Sequence, residues 1–243
     1  MRLYTEKFKL GDPTNISFYV GLEGFYHMGF EIIEVEDFEQ LEISEDHVFL
    51  GGIQFIHDAL EKLEIQIPAA LDYPTELEPF LGRKTWESTI NEIANNPSNW
   101  NVFVKPKGLS KKFTGRYIKG ISDLIGCGDQ NMNTPVWVSQ PKNFVAEWRA
   151  FIRYGKVVGV KSYKGDWRCN YNPQIIEEAV SAYESAPAGY SLDFGLTDKG
   201  EFLLVEANDG YALGNYGLFH TDYAKLLSAR WSQLTNQQDL CVF

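Results

Sequence analysis

The sequence predicts an α+β protein, with mainly antiparallel sheets built from hairpins and a smaller lobe ahead of them in which strands and a helix alternate. Three observations carry this reading. Residues 191–208 read as strand, tight turn at Asp198-Lys199-Gly200, and returning strand. Residues 134–163 read as strand, short connection, and a hairpin turning at Tyr154-Gly155-Lys156. The first eighty or so residues instead give short apolar runs separated by glycine and acidic turns, followed by a helical pattern.

In chain order, residues 16–20, 31–35 and 47–50 are apolar and strand-like. After Gly51-Gly52, residues 53–63 read as a helix, because Ile53, Ile56, Leu60 and Leu63 recur at helical spacing and leave Glu61, Lys62 and Glu64 for solvent. Pro68, Pro74 and Pro79 mark an irregular linker, which divides the chain into a lobe at 1–80 and a larger part at 81–243. A helix is expected from Thr85 to about Asn95, ended by Asn95-Asn96-Pro97. Residues 101–104 form an apolar strand leading into a basic, glycine-containing loop that runs to Arg116. In the central hairpin, alternation puts Glu147, Arg149, Phe151 and Arg153 on one face and Trp148, Ala150 and Ile152 on the other, as in a sheet with one dry side. Helices are expected over 173–185 and 220–234, with Tyr183, Tyr223 and Trp231 as core residues rather than a base-stacking platform.

Chemistry concentrates in the hairpins. Glu206 and Asn208 share a strand face, and a paired strand can set Asp193 beside them. Three oxygen donors so placed suit a hard divalent cation such as Mg²⁺, which takes few protein oxygens and completes its shell with water and phosphate. An ordinary solvated hairpin has the same composition. Lys105, at the end of a strand, can sit as a point charge on a phosphate, and the glycine after it lets backbone approach an anion. Lys-Pro at a strand end also fits a basic surface turn. GxxxxGK[ST] and a strand-linked GxGxxG are both missing, which argues against a phosphate-loop NTPase or a dinucleotide fold. On the returning strand Lys161 shares a face with Tyr163, so Arg149 and Lys161 can converge on an anionic group.

Composition narrows the classes. A formal charge of −11 over 243 residues argues against an extended nucleic-acid surface, which needs a clustered basic footprint. One basic island, Lys105, Lys107, Lys111, Lys112, Arg116 and Lys119, suffices for a nucleotide triphosphate or a short RNA end. Residues 1–10 lack the apolar core of a secretory signal, and no apolar run is long enough for a bilayer, so a soluble cytoplasmic protein is expected. Cys127, Cys169 and Cys241 are odd in number and widely spaced, as reduced thiols would be. His27, His47, His57 and His220 show no clustered metal spacing, so hydrogen-bonded or solvated roles are expected.

Taken in order, the strand ending at Lys105 with its basic loop, the strand Val136 to Gln140 with the hairpin after it, and the acidic hairpin from Asp193 to Asn208 resemble the ATP-grasp superfamily over roughly residues 80–220. The nearest likeness is to small bacterial and phage members thought to be amide-forming ligases. The resemblance implies two α/β subdomains gripping ATP, here behind a reduced N-terminal lobe that forms one wall of the substrate site. It implies that Arg83, Lys105 and Lys112 contact the nucleotide, with Lys84 the alternative to Arg83. Val138 and Gln140 would offer backbone groups to adenine. Glu147 would hold the ribose or, with Arg149, face substrate. Asp193, Glu206 and Asn208 would hold Mg²⁺, and Arg149 and Lys161 would act on the transferring phosphoryl group. The implied reaction joins a small-molecule or peptide carboxylate to an amine through an acyl-phosphate, and a homodimer is a common assembly. Phosphoryl or nucleotidyl transfer and a non-catalytic nucleotide-binding module are the alternatives. The chain is short for the family, whose ligases carry a fuller N-terminal domain.

Overall fold

The computed structural model describes residues 1–7, 16–108, 113–128 and 133–243, which form three sheets. The first is parallel, with β1 (Arg2–Glu6) between β2 (Glu31–Val35) and β3 (His47–Leu50). Helix α1 (Ile16–His27) connects β1 to β2, and α2 (Ile53–Lys62) follows β3.

Helix α1 corrects the strand expected at 16–20. Its buried residues, Phe18, Gly21, Gly24 and Phe25, are spaced as one helical stripe, but two of the four are glycines and give no apolar signal. Those glycines make close approaches rather than turns: a Cβ on Gly24 would lie 2.2 Å from the His220 carbonyl oxygen, and one on Gly21 would lie 3.0 Å from Leu50.

The second sheet has the order β4-β7-β5-β6, all antiparallel: β4 (Thr85–Thr89), β7 (Pro135–Ser139), β5 (Val102–Pro106) and β6 (Arg116–Ile118). Here the helix expected from Thr85 starts later. Thr-Trp-Glu-Ser-Thr is rich in β-branched and aromatic residues and pairs with β7, and only then does α4 (Ile90–Asn95) begin, with the Thr89 hydroxyl accepting from Glu92 N at its N-cap. The short α3 (Glu78–Leu81) fills the proline-marked linker.

The third sheet, β11-β10-β8-β9, is also antiparallel and holds the two hairpins read from the sequence: β8 (Phe144–Arg153) with β9 (Lys156–Lys164), and β10 (Gly189–Thr197) with β11 (Phe202–Asp209). Helices α5 (Pro173–Ala182) and α6 (His220–Thr235) complete the chain. The sheet is covered on both faces, contrary to the one dry side expected. One core joins Ala150, Ile152, Tyr190 and Leu192 to α5, while a second joins Phe151 to Tyr223 and Trp231 of α6 and to Leu3, Phe49 and Ile56 of the N-terminal lobe. That shared core fastens the lobe to the third sheet and leaves only the Glu147–Arg149 end of the β8 face to the cleft described next. Tyr183, Tyr223 and Trp231 are buried, as expected.

Candidate active site

A cleft of about 810 Å³ opens between the second and third sheets. Strand pairing fixes its acidic floor. Asp193, buried behind the lining residues Arg149, Glu206 and Asn208 and not itself among them, stands opposite Arg149 on one side and Glu206 on the other, and Arg149 in turn stands opposite Lys161. The register of β10 and β11 shifts directly after Asp193, a bulge of the kind that re-aims side chains at functional edges.

Arg149 and Asp193 form a bidentate pair, with Nε and one terminal nitrogen each 2.7 Å from a carboxylate oxygen. They are 6% and 3% exposed. Burial pushes the Asp193 carboxyl above the ordinary aspartate range; Arg149 opposes this, whereas nearby Glu206 and Glu147 add to it. The Asn208 amide nitrogen lies 3.4 Å from the same carboxylate. Lys105 reaches across from β5 and places Nζ 2.7 Å from Glu206 Oε2 and 2.7 Å from Asp72 Oδ1, with the Tyr73 ring centroid at 4.5 Å. Burial draws the Lys105 pKa down, but Glu206 and Asp72 outweigh it, so the amine is held charged well above its usual value.

Asp72 is the residue sequence reasoning missed. It adopts a left-handed backbone (φ 46°), its carbonyl accepts from Ala207 N at 2.9 Å, and its carboxylate accepts from Trp137 Nε1 at 3.0 Å. A lone aspartate in a proline-punctuated linker has no spacing that betrays it; its positive φ, which Asp tolerates, is visible only in the fold.

The other expected residues are distributed around this row. Glu147 lines the cleft and accepts from the Tyr163 hydroxyl at 2.9 Å and from Lys164. Burial, reinforced by Asp193 and Glu147, drives the Tyr163 phenol far upward, so it stays a donor. Gln140 lines the cleft, as does Ser139. Val138 does not: its side chain is wholly buried, and its residue pairs with Trp86 on one side and Val104 on the other, which commits its main chain to the sheet. The strand ends at Ser139, which likewise pairs with Thr85 and Phe103, and Gln140 follows it. Arg83 lies on the cleft wall but spends its guanidinium on the carbonyls of Leu81, Leu204 and Val205 at 2.7–2.9 Å, tying down the strand that carries Glu206. Lys84 is exposed, its main chain exchanging hydrogen bonds with Gln140. Lys161 is brought opposite Arg149 by register but is not among the residues lining the cleft. Lys112 lies outside the described residues.

The far wall is the loop after β11. Asn215 folds it, donating to Leu218 O and accepting from Gly217 N, while its own backbone N donates to Ser17 on α1. Tyr216 thereby stacks on Tyr163 (5.0 Å between centroids) and sits 4.4 Å from the Arg149 guanidinium. Asp209, the next acid along β11, also lines the cleft and is held in a bidentate pair with Arg230 at 2.6–2.7 Å.

The donor set fits Mg²⁺. Asp193, Glu206 and Asn208 each carry side-chain oxygen and are few; Asp193 Oδ2 accepts from both Arg149 and Asn208, while Oδ1 accepts from Arg149 alone and keeps a lone pair for a metal. Two cations, Lys105 and Arg149, flank them, an arrangement able to take phosphates along one edge and an anionic acceptor along the other.

Residues 80–226 match the family described as ATP-grasp domain, R2K clade family 2. Among solved structures, the chain is similar in fold to D-cycloserine synthetase, with a TM-score of 0.60 at 13% identity over 93% of this chain and 98% of that one. It is similar to a D-alanine–D-alanine ligase from Bacillus anthracis complexed with ATP, with a TM-score of 0.59 at 15% identity over 97% of each chain. It is also similar to a RiPP-associated ATP-grasp ligase from Chryseobacterium gregarium in complex with ADP and a leader and core peptide, with a TM-score of 0.51 at 14% identity over 93% and 96%. No curated protein sequence matches the chain.

Proposed function

Because this chain belongs to the ATP-grasp family of the R2K clade, family 2, we propose that it is an ATP- and Mg²⁺-dependent ligase joining a carboxylate to an amine. The observation that carries the reading is the row Lys105, Glu206, Asp193, Arg149, two adjacent acids between two cations, a run of charge that phosphates and a divalent cation would complete. Lys105 exchanges Glu206 for phosphate oxygens. Ser139 and Gln140 border adenine, Arg83 borders the nucleotide while holding β11, and Glu147 takes the ribose hydroxyls. Asp193, Glu206 and Asn208 hold Mg²⁺, which when bound neutralises charge on the phosphate oxygens.

The substrate carboxylate oxygen attacks the γ-phosphorus as its bond to the ADP oxygen breaks. The amine nitrogen then attacks the acyl carbon, phosphate leaves with the bonding electrons, and the nitrogen loses a proton. Arg149, with Lys161 behind it, offsets the charge that develops on the phosphoryl and acyl oxygens, so no serine or cysteine nucleophile is needed. The relatives' substrates, a small amino acid in one case and a peptide in another, support a small-molecule or peptide acceptor bounded by Tyr163 and Tyr216. The N-terminal lobe, residues 1–80, forms the wall behind that side. We place the enzyme in the cytoplasm, working as a homodimer.

Product analysis tests this. MgATP is incubated with panels of carboxylate and amine pairs, and ADP, phosphate and amide in equal amounts are the expected result. ADP without free phosphate would instead assign a kinase, AMP with pyrophosphate an adenylyl transferase, and bound but unconsumed ATP a nucleotide-binding module.

A further inference from the structure

Away from the cleft, the packing of α1 on α6 assembles three metal-binding side chains that the sequence leaves far apart. Glu23 and His27 are four residues apart on α1 and therefore share a helix face. His220 is the first residue of α6. Gly24, between Glu23 and His27 in the chain, lets the two helices approach so closely that a Cβ there would strike the His220 carbonyl, which brings the His220 ring beside His27 with centroids 5.2 Å apart. One ligand atom from each of Glu23, His27 and His220 lies within 4.8 Å of the others. Nδ1 of His220 is buried with no hydrogen-bond partner among the described residues. Glu23 and His27 are exposed, so an ion can reach them from solvent.

We infer that Glu23, His27 and His220 form a binding site for one divalent first-row transition ion, of which Zn²⁺ is the natural probe. Two imidazoles and one carboxylate are the nitrogen and oxygen donors such an ion prefers, while Mg²⁺ favours the all-oxygen floor of the cleft. Zinc bonds of about 2.0–2.1 Å in a tetrahedron separate the ligand atoms by about 3.3 Å, so side-chain rotation of roughly an ångström closes the site and leaves one position for water. Coordination would staple the N-terminal lobe to α6 where the loop carrying Tyr216 ends. The sequence gives no sign of this, because the two histidines are separated by most of the chain and neither belongs to a local metal motif.

The test is titration of the metal-free full chain with Zn²⁺ against a chromophoric chelator, alongside thermal melts with and without Zn²⁺. The expected result is one Zn²⁺ per chain, at least tenfold weaker binding in His27→Ala and in His220→Gln, a smaller loss in Glu23→Gln, and a zinc-dependent rise in Tm that His27→Ala abolishes. His27 is exposed at the end of its helix, so its variant keeps the fold even if His220→Gln disturbs the start of α6. Glu206→Gln retains zinc binding, which separates this site from the cleft. No binding by the wild type, or binding of unchanged affinity in either histidine variant, overturns the inference.

Discussion

Strand β8 carries two arginines on one face, four residues apart, and each meets a buried aspartate, but the two aspartates are held in opposite ways. Asp239, on the tail after α6, receives only donors: Arg153 at 2.6 Å, the Tyr154 hydroxyl at 2.9 Å, Ser228 at 2.6 Å and the backbone N of Cys241 at 2.9 Å. Burial raises its pKa, yet those donors together hold it below the ordinary value. Asp193 has Arg149 as well, but burial, with a further push from the nearby carboxylates of Glu206 and Glu147, outweighs it, and its pKa is raised. A structural carboxylate is saturated by its neighbours. Asp193 accepts from Arg149 and Asn208 but stands beside two other carboxylates, a setting that would favour a cation.

Substitutions sharpen that contrast. Asp193→Asn is expected to cut ADP release by about 10²–10³-fold, the scale on which a preorganised charge acts in a transition state, and also to lower stability, because it leaves the buried Arg149 without its charge partner. Asp239→Asn should lower stability alone. It leaves Arg153 without its charge partner and should cost about 2–3 kcal/mol in urea unfolding, less than a fully buried pair because Arg153 is partly exposed, with ATP affinity unchanged.

The pH dependence of stability follows from the same pair. The folded pKa of Asp239 is depressed, so its contribution is complete above the unfolded aspartate value, about 3.9, and is lost as pH falls through the lower folded value. Acid titration of wild type against Asp239→Asn should therefore show the two stabilities converging at low pH. The raised pKa of Asp193 acts with the opposite sign, since ionising it in the fold costs stability as pH climbs from the unfolded value toward the folded one. The smallest effect is expected at the rim: Tyr216→Ala removes a cation–π contact worth about 0.5–1 kcal/mol at this exposure and should raise the acceptor KM a few-fold without changing ATP affinity.

Much of the site was legible because hairpins are local. The Asp198-Lys199-Gly200 turn and the period of two fix Leu196, Gly195 and Phe194 against Phe202, Leu203 and Leu204, but carried one step further they would set Asp193 opposite Val205; the bulge after Asp193, which no turn signal announces, is what sets it opposite Glu206. Helix α2 was equally plain from its apolar stripe. What stayed hidden depends on contacts between distant segments. Helix α1 was disguised by glycines kept small by α6 at Gly24 and by Leu50 at Gly21, β4 was decided by its pairing with β7, and Asp72 meets Lys105 across the cleft from a distant part of the chain. Lys161 stands opposite Arg149 as the shared face suggested, but by way of a bulge between Phe151 and Ile152, and it is not among the residues lining the cleft.

Whether the row from Lys105 to Arg149 holds MgATP is decided by calorimetric titration of ATP with and without Mg²⁺, on wild type and Glu206→Gln. ATP binding should strengthen with Mg²⁺ in the wild type and lose that dependence in the variant. Wild-type protein that fails to bind ATP, or a variant that binds it with the same Mg²⁺ dependence, would contradict that reading.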